Sequence, residues 1–225
     1  MTPRVGYHQI RFERDTRRET LWRLLTRFYF QRWIHEDNCV LELGAGYGHF
    51  INNVQAGRRI ALDLWTELPN FLQAGVESHV GSVTNLSLLQ DHSVDFAFAS
   101  NLFEHITKDD LAHVRHQLEA KLSNHGLLCL LQPDYCYAYR EYFDDYTHIA
   151  VYSHVTMSDF LLDCGYEIVD RKPRFMPLTV KSRVVVSSIL IWLYLKSFLK
   201  PPGKQMLIIA RPSKRAGPTE YRVAA

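Results

Sequence analysis

Between residues 39 and 170, short and nearly continuous apolar runs alternate with stretches whose apolar residues recur every three or four positions. The runs read as buried strands and the periodic stretches as amphipathic helices. Strands are predicted over 39–43, 59–64, 78–81, 94–100, 127–131 and 166–170, with a further one at 205–210. A helix is predicted over 16–34, where Thr16 and Glu19 form a capping-box pattern and Leu21, Leu24, Leu25, Phe28 and Trp33 supply an apolar stripe. Others are expected from about Tyr47 to Gln55, and from Thr107 to Asn124-His125-Gly126 with Leu111, Val114, Leu118 and Leu122 on one face. A short one follows Thr156 and Asp159 and closes at Gly165. Such alternation, with strands nearly continuously apolar, predicts a doubly wound α/β fold whose parallel sheet is covered on both faces.

A chain of 225 residues accommodates one domain with appendages. Its 47% hydrophobic content supports a buried core and excludes a disordered or low-complexity protein. The net charge of +2 conceals a strong segregation. Residues 1–32 hold eight basic and three acidic side chains, residues 33–170 hold six and twenty, and residues 171–225 hold twelve and one. Basic ends around an acidic middle point either to an anionic surface or ligand near the termini, or to ends that pack on the acidic domain. The organisation expected is a helical cap at 1–38, a cofactor domain at 39–170, a lid with an apolar helix and the last strand at 171–212, and a flexible tail at 213–225. Cys39, Cys129, Cys136 and Cys164 show no metal spacing, and no apolar leader follows Met1. A reduced, cytoplasmic setting is the expectation. The apolar run Val184–Leu199 spans sixteen positions, short of the ~20 that cross a bilayer.

The first predicted strand runs into Glu42-Leu43-Gly44-Ala45-Gly46-Tyr47-Gly48. In open α/β sheets ligands sit beyond the carboxyl ends of the strands, so this turn is where a cofactor would lie. A dinucleotide fingerprint would place glycine at 49, which is His49. The acid discriminates further: a carboxylate two residues before the first glycine repels a pyrophosphate but suits a cationic ligand. S-adenosylmethionine, with its sulfonium and ammonium groups, is such a ligand. Asp63, at the end of the second strand, can accept hydrogen bonds from both ribose hydroxyls.

Here the sequence resembles the class I S-adenosylmethionine-dependent methyltransferases. The resemblance rests on VLELGAGYGHF at 40–50, IALDL at 60–64, DFAFASNLFEHI at 95–106, HGLLCLLQP at 125–133 and GYEIVD at 165–170. It implies a Rossmann-like, mostly parallel sheet of seven strands with the last antiparallel, an N-terminal helix and a helical insertion before the last strand. It also implies that Glu42 lies near the methionine amino group, with Gly44, Ala45, Gly46 and Gly48 under methionine and ribose. Asp63 and Leu64 fall at the ribose, Ser82 and Val83 near the adenine, and Asn101 beside the cofactor. Many members carry an acid at the Ser82 position, so adenine recognition here would rest on backbone groups of Val83. RFYFQRWI at 27–34, SNLFEHI at 100–106 and the later FDDYTHIAVYSHVTMSDFL and FMPLTVKSR blocks resemble a bacterial subgroup associated with polysaccharide and glycolipid assembly.

Transfer to a hydroxyl needs a base for its proton. His148, three residues beyond Asp145, is the preferred choice with Asp145 orienting the ring, and His105 is the other. Arg140, Tyr142 and Tyr146 are expected to meet the substrate. Neither His113 with His116 nor His148 with His154 suggests a third ligand by spacing, so no metal is expected. Lys181, Arg183, Lys196, Lys200 and Lys204 flank Val184–Leu199. That segment fits an interfacial helix, a lid over a phosphate-bearing substrate, or a helix buried on the flank or in a homodimer. The basic N-terminal helix is the other expected wall of the substrate cavity. The reading is methyl transfer to a hydroxyl of a sugar or glycolipid precursor, with peripheral contact at the inner membrane face. Its alternatives are an O- or N-methyltransferase of a soluble metabolite and a non-catalytic cofactor-binding scaffold. The acidic centre and the lack of a recognition motif argue against a nucleic-acid partner.

Overall fold

The computed structural model describes residues 16–176, 188–197 and 203–213. The expected tail beyond Ser213, and Lys181, Arg183 and Lys200 of the basic flank, lie outside those residues. Helix α1 (Thr16–Phe28) leads through a 3-10 turn at Phe30–Trp33 into β1 (Cys39–Leu43). Strands β2 (Arg58–Asp63), β3 (Val76–Val80) and β4 (Val94–Ser100) follow, then α2 (Lys108–Lys121) and β5 (Leu122–Pro133). A short α3 (Tyr135–Ala138), then α4 (His154–Asp163), β6 (Tyr166–Met176), α5 (Ser188–Lys196) and β7 (Gln205–Pro212) complete the chain.

The seven strands make one sheet in the order β3-β2-β1-β4-β5-β7-β6. The first five are mutually parallel, and β7 runs antiparallel to both β5 and β6. This is the Rossmann-like, mostly parallel arrangement expected. Alternate residues of the central strands feed two cores. Leu41, Leu43, Ile60, Leu62, Ala97 and Leu128 face α2 and α4, while Val40, Ala61, Phe96, Phe98, Leu207 and Ile209 face α1. On the α1 side the ring centroids of Phe50 and Phe98 lie 4.1 Å apart, and Trp22 meets Phe98 edge-on at 5.9 Å. Offset and edge-on pairs of this kind add to the apolar burial itself. Helix α5 lies against α1, and Tyr194 Oη donates to the Phe175 carbonyl at 3.1 Å. Among the described residues no helix is long and apolar enough to cross a membrane.

Five local expectations are corrected. The segment expected to be helical from Tyr47 to Gln55 is a series of turns, because the buried Glu42 carboxylate takes the Ile51 N–H at 2.9 Å that a regular helix would direct to a carbonyl. The helix expected to reach residue 34 breaks after Phe28 into the 3-10 turn. Residues 122–126, expected to end α2, already belong to β5, whose register shifts between Val94 and Phe96 of its neighbour. The N-cap of α4 is Ser153, with Thr156 as the reciprocal member of a capping box. Strand β6 also runs on to Met176, well past residue 170.

Candidate cofactor and acceptor cleft

Strands β2 and β4 flank β1, and their connections leave the sheet on opposite faces at the carboxyl end of β1. The crevice opened there is a cavity of about 490 Å³. Its lining includes Glu42, Gly44, Ala45, Gly46, Asp63, Leu64, Ser82, Val83 and Asn101. Nine of the ten residues expected to hold the cofactor thus meet in one place, and Gly48 shapes the same turn from just outside.

The turn after β1 bends because three of its residues take left-handed backbone angles, Gly44, Gly46 and Gly48 at φ +66°, +52° and +65°. A Cβ on Gly48 would sit 2.6 Å from Leu72 Cδ2. The Gly44 N–H donates to the Leu62 carbonyl at 2.8 Å, which ties the bend to the end of β2. Asp63 locks it from the other side: its Oδ2 accepts from Gly46 N–H at 2.7 Å and its Oδ1 from Trp65 N–H at 2.8 Å. Each carboxylate oxygen keeps acceptor capacity toward the crevice.

Glu42 is only 4% exposed, and burial pushes its carboxyl up to about 8 against the pull of the Ile51 N–H. A cation arriving beside it would be paired with a carboxylate that has little solvent to satisfy it. The bend, the buried acid and Asp63 therefore fit a cofactor with a cationic amino-acid end and a ribose.

The opposite wall comes from the end of β4. Asn101 adopts φ +49°, and its Oδ1 accepts from Gln205 Nε2 at 2.8 Å, so the first residue of β7 fixes the bend. The 3-10 turn Phe103–His105 follows, and consecutive residues on so tight a turn point in different directions. Phe103 and Glu104 go inward and His105 lines the cleft. Thr147, which also lines the cleft, holds His105: its Oγ1 lies 2.9 Å and its carbonyl 3.2 Å from Nδ1. Asp145 Oδ1 accepts from both the N–H and the hydroxyl of Thr147, at 3.1 and 2.7 Å. Burial, then the neighbouring His148, lower the His105 pKa, which keeps the ring neutral near pH 7.

His148 stands behind His105, with ring centroids 4.7 Å apart and Nε2 3.9 Å from Glu104 Oε1, and it is not among the cleft-lining residues. Tyr142 is fully buried and donates to the Ala150 carbonyl at 2.9 Å, packing the loop after β5 from beneath. Arg140 bonds Tyr139 at the surface, and Tyr146 is 75% exposed; neither lines the cleft. Cleft residues that sequence reasoning did not single out include Arg18 and Trp22 of α1, with His49 and Thr147. The basic, aromatic character of α1 signalled a wall but not which of its side chains face inward.

Residues 41–130 match the family model described as a methyltransferase domain. No curated protein matches the chain by sequence. Among solved structures, an S-adenosylmethionine-dependent methyltransferase from Archaeoglobus fulgidus superposes with a TM-score of 0.64 at 20% identity, over 86% of this chain and 93% of that one. One from Mesorhizobium loti gives 0.59 at 16% identity, over 83% and 97%. Geranyl diphosphate C-methyltransferase from Streptomyces coelicolor A3(2), solved with S-adenosyl-L-homocysteine, gives 0.58 at 12% identity, over 82% and 76%. Residues 41–130 thus resemble a methyltransferase domain, and the solved structures share the fold of this chain.

Proposed function

We propose that this protein methylates a hydroxyl on a sugar or glycolipid precursor. The carrying observation is one cleft whose two walls differ in chemistry. The β1–β2 wall has a buried acid, a glycine bend and Asp63, while the opposite wall presents a neutral imidazole, His105, held by Thr147. When bound, the cofactor supplies an electrophilic methyl group on a sulfonium. The work left to the chain is to hold the acceptor in line and take up its proton. In this reading Glu42 meets the ammonium group, Asp63 the ribose, and Ser82 and Val83 the adenine. His105 takes the hydroxyl proton, and Asp145 positions the ring through Thr147.

Trp22 and Arg18 support the choice of acceptor. A guanidinium pairs with a phosphate, and the largely buried Trp22 gives the acceptor an apolar edge. Helix α5 adds support for a membrane-borne substrate. Ile189, Trp192 and Leu193 are exposed on it, and it packs on the arginine-rich α1. The test incubates the protein with labelled S-adenosylmethionine and a panel of sugar phosphates and polyprenyl-linked sugars. Label recovered as an acid-stable ether on a sugar supports the reading; label only on an amine or a carbon refutes it. Sedimentation with anionic vesicles that is lost in Trp192→Ser/Leu193→Ser supports the peripheral contact, and no sedimentation of the unaltered chain refutes it.

A further inference from the structure

Two groups of metal-ligating side chains bring their ligand atoms within 4.8 Å of one another: Glu104 with His105 and His148, and Asp134 with Cys136 and His154. Their hydrogen bonding separates them. Asp134 is spent, because Oδ2 binds His154 Nδ1 at 2.6 Å and Oδ1 accepts from the Cys136 and His154 N–H groups at 3.2 and 3.3 Å. That carboxylate caps α3 and anchors the start of α4.

Glu104 differs. Its side chain is fully buried, yet among the described residues neither carboxylate oxygen has a hydrogen-bond partner. A buried carboxyl without partners is costly, and native proteins retain one where it pairs with a charge or coordinates a metal. Its backbone is well used by contrast: its carbonyl accepts from Ile149 and Ala150 at 2.9 and 3.1 Å. Those bonds clamp the His148 loop beneath the 3-10 turn. The side chain is thus held facing His148 Nε2 at 3.9 Å, a gap that two ligands of one ion would close slightly. His105 completes the group, and its Nδ1 faces the Thr147 carbonyl and hydroxyl. A ligating imidazole with one ring nitrogen tied to a carbonyl is the usual outer-shell arrangement.

We propose that Glu104, His105 and His148 form a three-ligand site for a divalent transition-metal ion of the zinc class, behind the His105 wall of the cleft. Two imidazoles and one carboxylate suit zinc, cobalt, iron or manganese rather than magnesium or calcium. The inference rests on the acceptor wall of the reading above: with an ion bound, His105 is its ligand, and the ring takes up the acceptor proton only in the metal-free chain.

The test titrates the full chain with Co2+ and follows its visible absorption. Expected are d–d bands that saturate near one ion per chain, lack a thiolate charge-transfer band, and disappear on adding excess Zn2+. Glu104→Gln and His148→Gln should each weaken binding by tenfold or more, while Cys136→Ser leaves it unaltered. S-adenosylhomocysteine affinity, measured by calorimetry on the metal-free chain and on each variant, reports separately on the cofactor side. Retained affinity with no cobalt spectrum overturns the metal site and leaves the methyltransferase reading standing. A thiolate band, or binding that survives both the Glu104 and His148 changes, likewise overturns it.

Discussion

Replacing Glu42 by Gln keeps the shape of the side chain and the acceptor for the Ile51 N–H, and removes only the ability to ionise. In the folded chain burial raises this carboxyl from 4.5 to about 8. A raised carboxyl stabilises the fold fully below its unfolded value, and the contribution is lost as pH rises toward its folded value. Each pH unit between about 5 and 8 therefore removes roughly 1 to 1.5 kcal/mol, on the order of 5 kcal/mol in all, and above 8 the loss is complete. Glu42→Gln has no such loss. Urea unfolding followed by circular dichroism should show the stability of the variant, relative to the unaltered chain, climbing across that window and then levelling. The other buried acid raised to about 8, Glu104, cancels in the difference because both proteins carry it. Calorimetry with S-adenosylhomocysteine gives the functional side: affinity of the unaltered chain rises toward pH 8 as the carboxylate forms, and the variant shows a weaker, flatter profile. A stability difference constant from pH 5 to 8 refutes the reasoning, since it would mean that Glu42 ionises as an exposed acid does.

Asp63→Ala removes the acceptor of the Gly46 and Trp65 N–H groups along with the proposed ribose contact. S-adenosylhomocysteine affinity should fall by about two orders of magnitude or more with the fold retained, and unaltered affinity would overturn the ribose assignment. Gly48→Ala combines a left-handed backbone with a Cβ 2.6 Å from Leu72. Chemical denaturation should record a loss of roughly 1–3 kcal/mol, and no loss would show that the turn relaxes freely. His105→Ala should reduce turnover by about a hundredfold or more while cofactor affinity holds, whereas full turnover would remove His105 from the acceptor chemistry.

The cofactor side of the cleft was legible because each of its parts is local. A continuous apolar run, a glycine bend and an acid at the end of the next strand each declare themselves within a few residues, and the sheet places them together. The acceptor side depends on long-range packing, which spacing along the chain does not carry. Asp145 and His148 were paired by spacing, as on one turn of helix. In the folded loop Asp145 bonds Thr147, and His148 is turned toward Glu104. Tyr142 sits among polar neighbours in the sequence, which conceals its place beneath the loop. The false helix at 47–55 has a similar origin, since propensity cannot foresee that a side chain nine residues away will take a backbone donor.

Strand β7 lies between β5 and β6 and bonds both of them, although it follows every other strand in the chain. During synthesis β5 and β6 consequently leave the ribosome with bare edges, and the nascent protein must keep a slot vacant until the last strand arrives. Gln205 opens that strand and carries the hydrogen bond to Asn101, so the floor of the cleft is set only when the slot fills. The Asn101 bend at the cleft wall thus gains this bond only from the strand that closes the sheet.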